Sequence, residues 1–265
     1  MRPDSCTATY LLIRVVPSWV STSTSTKCAP KHWRVLPSVV GRGVAEAISQ
    51  LGGLDILFNN AGIGSYGIQE LMSPEDMARV FDVNVMGVQR VMRAALPHMR
   101  AQGRGTVLYT SSLIGRIAIP FYGTYSASKW ALEAIVECYR TELSGFGIES
   151  CLIEPGAMPT AFFDGLVTPN DAAREAEYGD FAAVPAMSNA GLAQILEATP
   201  MQRPELIAET VVALLDMPFG EKPFRTVVDH VGVGPQIERY NNVLHDVTRT
   251  VLTNFGIAEM LDLNA

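Results

Sequence analysis

Leu54-Asp55-Ile56-Leu57-Phe58-Asn59-Asn60-Ala61-Gly62 is a short apolar run that stops at a turn. Its length and its Asn/Gly boundary read as a buried strand ending in a tight bend. Just before it, residues 44–51 carry Val44, Ile48 and Leu51 on one helical face, with Gly52-Gly53 as the stop. Beyond it, Ser73-Pro74-Glu75-Asp76 is a helix start: a capping serine, a proline at the first helical position, then acids near the positive end of the dipole. That helix is predicted to run to about residue 102 and stop at Gly103. A strand at 106–110, a long helix at 125–146 ending at Gly147, and a strand at 148–153 closed by Pro155-Gly156 follow. Residues 157–202 are mixed and read as a substrate lid. A helix at 204–215, a strand at 224–229 and a last helix near Asn241 complete the pattern. Strands alternating with helices predict an α/β fold, doubly wound, with a mostly parallel sheet. Such sheets bind ligands beyond the carboxyl ends of their strands.

The 265 residues suffice for one α/β domain with a full core. An apolar fraction of 48% and a charged fraction of 18% describe a globular chain rather than a disordered one. The net charge of -7 argues against nucleic acid as a partner, because phosphate binding needs a basic face. The four cysteines (Cys6, Cys28, Cys138 and Cys151) form no Cys-x-x-Cys pair, so zinc and redox motifs are not expected, nor is a metal. A reducing, cytoplasmic compartment is the expectation. No membrane span is expected, because the best apolar stretch, 10–20, is broken by Arg14 and Pro17.

Residues 1–34 read differently from 35–265. Ser21-Thr22-Ser23-Thr24-Ser25-Thr26 is low in complexity, while residues 10–16 have the β-branched character of a strand. Residues 1–45 carry a net +5, leaving -12 for the rest. The segment is expected to be atypical: disordered, or the product of another reading frame or a mis-called start.

Tyr125-Ser126-Ala127-Ser128-Lys129 places a phenol and an ammonium four apart on one face of a helix start. A phenol titrates near ~10, and a nearby cation favours its phenolate, giving a usable acid/base group. The same spacing also arises when an aromatic packs beneath an exposed lysine. In Thr110-Ser111-Ser112 the two serines point opposite ways, and one can bond a substrate carbonyl; serines after a strand are equally turn residues. Asn84 is a polar amide inside an apolar helix, either a structural hydrogen bond or an anchor for a water leading to Lys129. Asn59-Asn60-Ala61-Gly62 and Pro155-Gly156-Ala157-Met158-Pro159-Thr160 are turns whose small residues admit a flat ligand.

These five motifs, in this order, resemble the short-chain dehydrogenase/reductase family, and Pro223 to Asp229 looks like its hydroxysteroid-dehydrogenase-like branch. The resemblance covers about residue 35 to the end. It implies a Rossmann-like fold and an NAD(P)-dependent enzyme acting on a small apolar secondary alcohol or ketone. It implies that Tyr125 exchanges the proton, Lys129 lowers its pKa and binds the nicotinamide ribose, Ser112 orients the carbonyl, and Asn84 completes the relay. Asn60, Ala61 and Gly62 would line the adenosine side, and Pro155, Gly156 and Thr160 the nicotinamide. A homodimer or homotetramer is the family expectation.

The family opens with a Thr-Gly-x-x-x-Gly-x-Gly turn that holds the pyrophosphate on backbone amides. Here no glycine precedes Gly41, and Arg34 stands before Val35 where the family has a small acid or amide. Gly41-Arg42-Gly43 and Gly232-Val233-Gly234 are not read as phosphate loops. The N-terminal βα units are therefore incomplete. The competing expectation is a catalytically impaired or non-catalytic Rossmann-like scaffold.

Overall fold

The computed structural model describes residues 7–16, 19–27 and 37–263. The contrast drawn at Arg34 and Val35, and the cysteines Cys6 and Cys28, lie outside the described residues. In chain order the elements are β1 (Thr7–Val16), β2 (Trp19–Lys27), α1 (Pro37–Leu51), β3 (Ile56–Asn59), α2 (Pro74–Phe81), α3 (Val88–Gln102) and β4 (Gly105–Thr110). Then come α4 (Gly123–Ser144), β5 (Ile148–Pro155), α5 (Ala172–Ala176), α6 (Val184–Glu197), α7 (Glu205–Asp216), β6 (Arg225–Val228) and α8 (Gly234–Asn254).

The described strands form one sheet in the order β2-β1-β3-β4-β5-β6. The pairs from β3 to β6 are parallel, with Ile56 opposite Thr106, Gly105 opposite Ile148 and Leu152 opposite Arg225. β3, β4 and β5 are buried on both faces, and their period of two divides the interior into two cores. Leu57, Val107, Tyr109 and Leu152 meet α1, α3 and α4 through residues such as Val44, Met92 and Leu132. Ile56, Phe58, Leu108, Cys151 and Ile153 meet α7 through Val211 and Leu214. The sheet is thus covered by helices on both faces, a doubly wound α/β arrangement.

The strand expected at 10–16 lies within β1, but its direction is new. β1 runs antiparallel to β3, with Tyr10 opposite Asn59 and Ile13 opposite Ile56. β2 pairs back onto β1 as a hairpin and so runs parallel to β3. The carboxyl ends of β2 and β3 therefore share one edge of the sheet, and the carboxyl end of β1 lies at the other.

The helix start at Ser73 carries more than a single cap. Ser73 Oγ accepts from Asp76 N at 3.1 Å, and Asp76 Oδ2 accepts from Ser73 N at 3.2 Å, a reciprocal capping box. The helix expected at 73–102 is interrupted by one π-helical turn, Asp82–Gly87, and ends where expected at Gly103, whose φ is 70°. The region 157–202 contains α6, which the sequence pattern does not reveal because none of its residues is buried and no apolar stripe marks it.

Leu57 is fully buried at the centre of the sheet. Leu57→Ala is expected to destabilise the fold by about 3 kcal/mol, and Ser73→Ala by about 1 kcal/mol, in urea unfolding. Equal costs for the two would contradict the placement of Leu57 in the core.

Candidate active site

The carboxyl ends of the parallel strands open into a cavity of about 540 Å³. Asn60 and Gly62 reach it from the end of β3, Ser111 and Ser112 from the end of β4, and Pro155, Gly156 and Thr160 from the end of β5. Tyr125 and Lys129 reach it from the first turns of α4. The rest of its wall is largely apolar and includes Leu113, Ile117, Met158, Phe162 and Leu192. Ala61 is half-buried beside this wall without lining it, and Asn84 lies buried behind it.

Lys129 is 3% exposed, and its Nζ donates to the Thr110 carbonyl at 2.7 Å. The bond ties α4 to the end of β4. Burial pushes the ammonium down to about 8, against the opposing pull of Glu133 one turn further along. Nζ lies 5.7 Å from the centroid of the Tyr125 ring. Tyr125 itself is driven well above the ordinary phenol range by burial, with the Ser112 hydroxyl pulling it back and Tyr122 adding to the rise. The acidification expected from a neighbouring cation is therefore not what this arrangement delivers. The ammonium is engaged by Thr110, and burial outweighs the hydrogen bond.

Ser112 caps the turn Leu113–Gly115, its Oγ accepting from Ile114 N at 3.4 Å. Ser111 also lines the cavity, and its buried hydroxyl has no hydrogen-bond partner among the described residues. Asn84 sits in the π-helical turn. Its Oδ1 accepts from Ile63 N, and its Nδ2 donates to Ile63 O and to Ser128 Oγ, each at 2.9 Å. Ser128 in turn donates to the Tyr125 carbonyl at 2.7 Å. One amide thus fixes the chain after β3 against the helix that bears Tyr125.

Beneath the site lies a buried charge cluster that the sequence reading missed. Arg116 and Arg225 face Glu133, Glu137 and Glu154 at 2.7–3.9 Å. Asn241 of α8 donates to Glu154 and accepts from Arg116. Burial, reinforced by Glu133, pushes Glu154 up to about 7, and the two guanidiniums and Asn241 oppose it. Asp229 was also missed as a site residue. Its Oδ2 accepts from the amides of Gly232, Val233 and Gly234 at 2.9–3.0 Å, capping α8. A side chain at Gly156 would begin 2.3 Å from Asp229 Oδ1, which requires glycine there. The available signal was an acid shortly before Gly-x-Gly-Pro, a helix start. Phe121 is strained at φ 71° next to Tyr122 on the cavity wall, and nothing local in its sequence announces it.

A doubly wound sheet whose carboxyl edge gathers a tyrosine, a lysine and two serines around an apolar cavity defines a Rossmann-like α/β protein. The chain belongs to the short chain dehydrogenase family, whose profile matches residues 37–170. It is 37% identical over 141 residues to the 3-ketodihydrosphingosine reductase of Bacteroides thetaiotaomicron, covering 53% of this chain and 52% of that one. It is 41% identical over 116 residues to human 17-beta-hydroxysteroid dehydrogenase type 1, covering 44% and 35%. The chain thus spans about half or less of the length of these curated relatives. The crystal structure of an alcohol dehydrogenase from the archaeon Thermococcus sibiricus, complexed with 5-hydroxy-NADP, superposes with a TM-score of 0.55 at 25% identity, covering 73% of this chain and 70% of that one. No described helix is long and apolar enough to cross a membrane. No cluster of three or more His, Cys, Asp or Glu among the described residues could hold a metal.

The lowered Lys129 value has a defined sign. The fold favours the neutral amine, so the charged form costs stability at low pH, and that cost fades as pH rises past about 8. Lys129→Met is expected to stabilise the protein by about 2 kcal/mol near neutral pH, with the gain shrinking toward pH ~10. Thermal unfolding across pH checks this; a gain that grows with pH would contradict it.

Proposed function

We propose that the protein is an NAD(P)-dependent oxidoreductase that moves a hydride between a nicotinamide and a secondary alcohol or ketone. The observation that carries this reading is the convergence of Tyr125, Lys129 and Ser112 on one apolar cavity at the carboxyl edge of the sheet. The residues present fit the nicotinamide half of such a cofactor. Lys129 has three donors and gives one to Thr110, leaving others for ribose hydroxyls. Gly62 lies directly beside the ammonium, a Cβ there falling 3.5 Å from Nζ. Asn60 and Gly62 would line the adenosine side, with Ala61 behind them, and Pro155, Gly156 and Thr160 the nicotinamide. The dinucleotide supplies the hydride chemistry when bound.

The chain's own residues do the rest. Ser112 orients the substrate oxygen by hydrogen bonding, and Tyr125 gives that oxygen its proton, or takes it in the reverse direction. Lys129 holds the ribose. Asn84 locks the backbone that frames the relay. Leu113, Ile117, Met158 and Phe162 exclude water and select an apolar alcohol or ketone.

Tyr125→Phe should reduce turnover of apolar ketones at least about a thousandfold while leaving the unfolding transition in place. Turnover within a few-fold of the parent would refute the assignment.

One observation favours a second reading, a scaffold with impaired cofactor binding. In this sequence no glycine precedes Gly41. In a doubly wound fold the first βα turn is the glycine-rich one that brings amides to the pyrophosphate. Titration with NADH and with NADPH decides between the readings: micromolar affinity for either supports the enzyme, and affinity weaker than about a millimolar for both supports the scaffold.

A further inference from the structure

Residues 157–202 leave the domain at the end of β5 and return just before α7. Both ends of this excursion meet at one side chain. Gln202 is 1% exposed; its Nε2 donates to the Ala157 carbonyl at 2.8 Å, and its Oε1 accepts from the His230 amide at 2.7 Å. Ala157 is the first residue past Pro155-Gly156, and His230 follows Asp229, which carries the amides at the start of α8. Gly156 N donates to Val228 O at 2.9 Å, so the ends of β5 and β6 are already joined by backbone. Gln202 adds the lid to that joint. Both hydrogen bonds are part-buried and end on a side chain that is itself shielded from water, so breaking either is costly for the Gln202 amide.

We infer that Gln202 is a positioning residue: a clasp that holds the two ends of the 157–202 segment together and registers them on the β6 end, so that lid and cavity wall keep one shape. Ala157, Met158, Phe162 and Leu192 all line the cavity from this segment. Tyr66 Oη donates to the Pro185 carbonyl at 2.7 Å, and Ser65 bridges to Val167, fastening the middle of the segment to the far wall. The clasp fixes its ends and these contacts fix its middle. An apolar ligand then meets a preshaped surface instead of ordering 46 residues when it binds. The inference concerns the same cavity as the oxidoreductase reading but rests on hydrogen bonds that exist without any ligand.

Gln202→Leu removes both bonds at similar volume. Gln202→Glu keeps the acceptor for His230 N but loses the donor to Ala157 O. The primary measurement is hydrogen exchange by mass spectrometry on the full chain, which needs no activity. In Gln202→Leu, exchange in 157–165 and at 229–234 is expected to quicken at least tenfold, with β4 and α4 unchanged. In Gln202→Glu only 157–165 should quicken. The second measurement is steady-state kinetics with an apolar ketone, where KM should rise about tenfold and kcat stay within threefold. If exchange quickens everywhere alike in both variants, Gln202 is a general core residue and the clasp is overturned. If exchange in 157–165 is unchanged, the clasp is likewise overturned. If local exchange changes as expected but neither parent nor variant turns over ketones, the clasp stands and the oxidoreductase reading falls.

Discussion

A lysine ammonium removed from water is the interaction around which this site is organised. Lys129 has little solvent, and it is held by the Thr110 carbonyl at the point where β4 ends. Burying such a charge is costly unless it finds partners, and the cost appears directly in its lowered pKa. The surrounding structure answers with fixed groups. The Thr110 carbonyl accepts a hydrogen bond from one N–H, Glu133 one turn along α4 supplies opposite charge, and Asn84 holds the backbone after β3. The costly charge and the spare hydrogen-bonding capacity sit on the same atom, since the Thr110 carbonyl engages only one of its three N–H groups.

The charge cluster below extends the same logic across the sheet. Arg116 follows the Ser112 turn, Glu133 lies on the Lys129 helix, Glu154 precedes Pro155, and Asn241 belongs to α8. The members thus come from the ends of β4, β5 and β6 and from α4 and α8. Buried ion pairs are weak sources of stability, since desolvation consumes most of the attraction, but breaking one leaves an uncompensated charge. The cluster therefore acts chiefly as a fastening of fixed geometry between elements distant in sequence.

Much of this was legible in the chain, and the limits have physical reasons. The strand before Asn59 was readable because a strand buried on both faces is a continuous apolar run. Ser73 was readable because capping is local chemistry. The Tyr125, Lys129, Ser112 and Asn84 group was readable only as a set, since each residue alone also has an ordinary structural explanation. Three things were out of reach. The direction of β1 depends on which edge of the sheet it joins, and no local pattern records that. α6 buries nothing, so it has no stripe. Gln202 and Glu154 take their meaning from partners between 28 and 87 residues away. The pKa of Tyr125 was misjudged for a related reason: spacing in sequence gave the proximity of a cation but not the depth of burial that opposes it.

The π-helical turn at Asp82–Gly87 changes the phase of the helix that contains it. Side chains advance about 100° per residue along a helix, so one surplus residue rotates everything before it relative to everything after. Val80 before the turn, Asn84 within it, and Val88, Val91 and Met92 after it are all buried. From the widened turn Asn84 bonds both backbone groups of Ile63. Deleting one residue within 82–87 would restore a regular turn and shift Asn84 against Ile63, so a gap of one in a comparison of sequences here is a change of geometry beside the cavity.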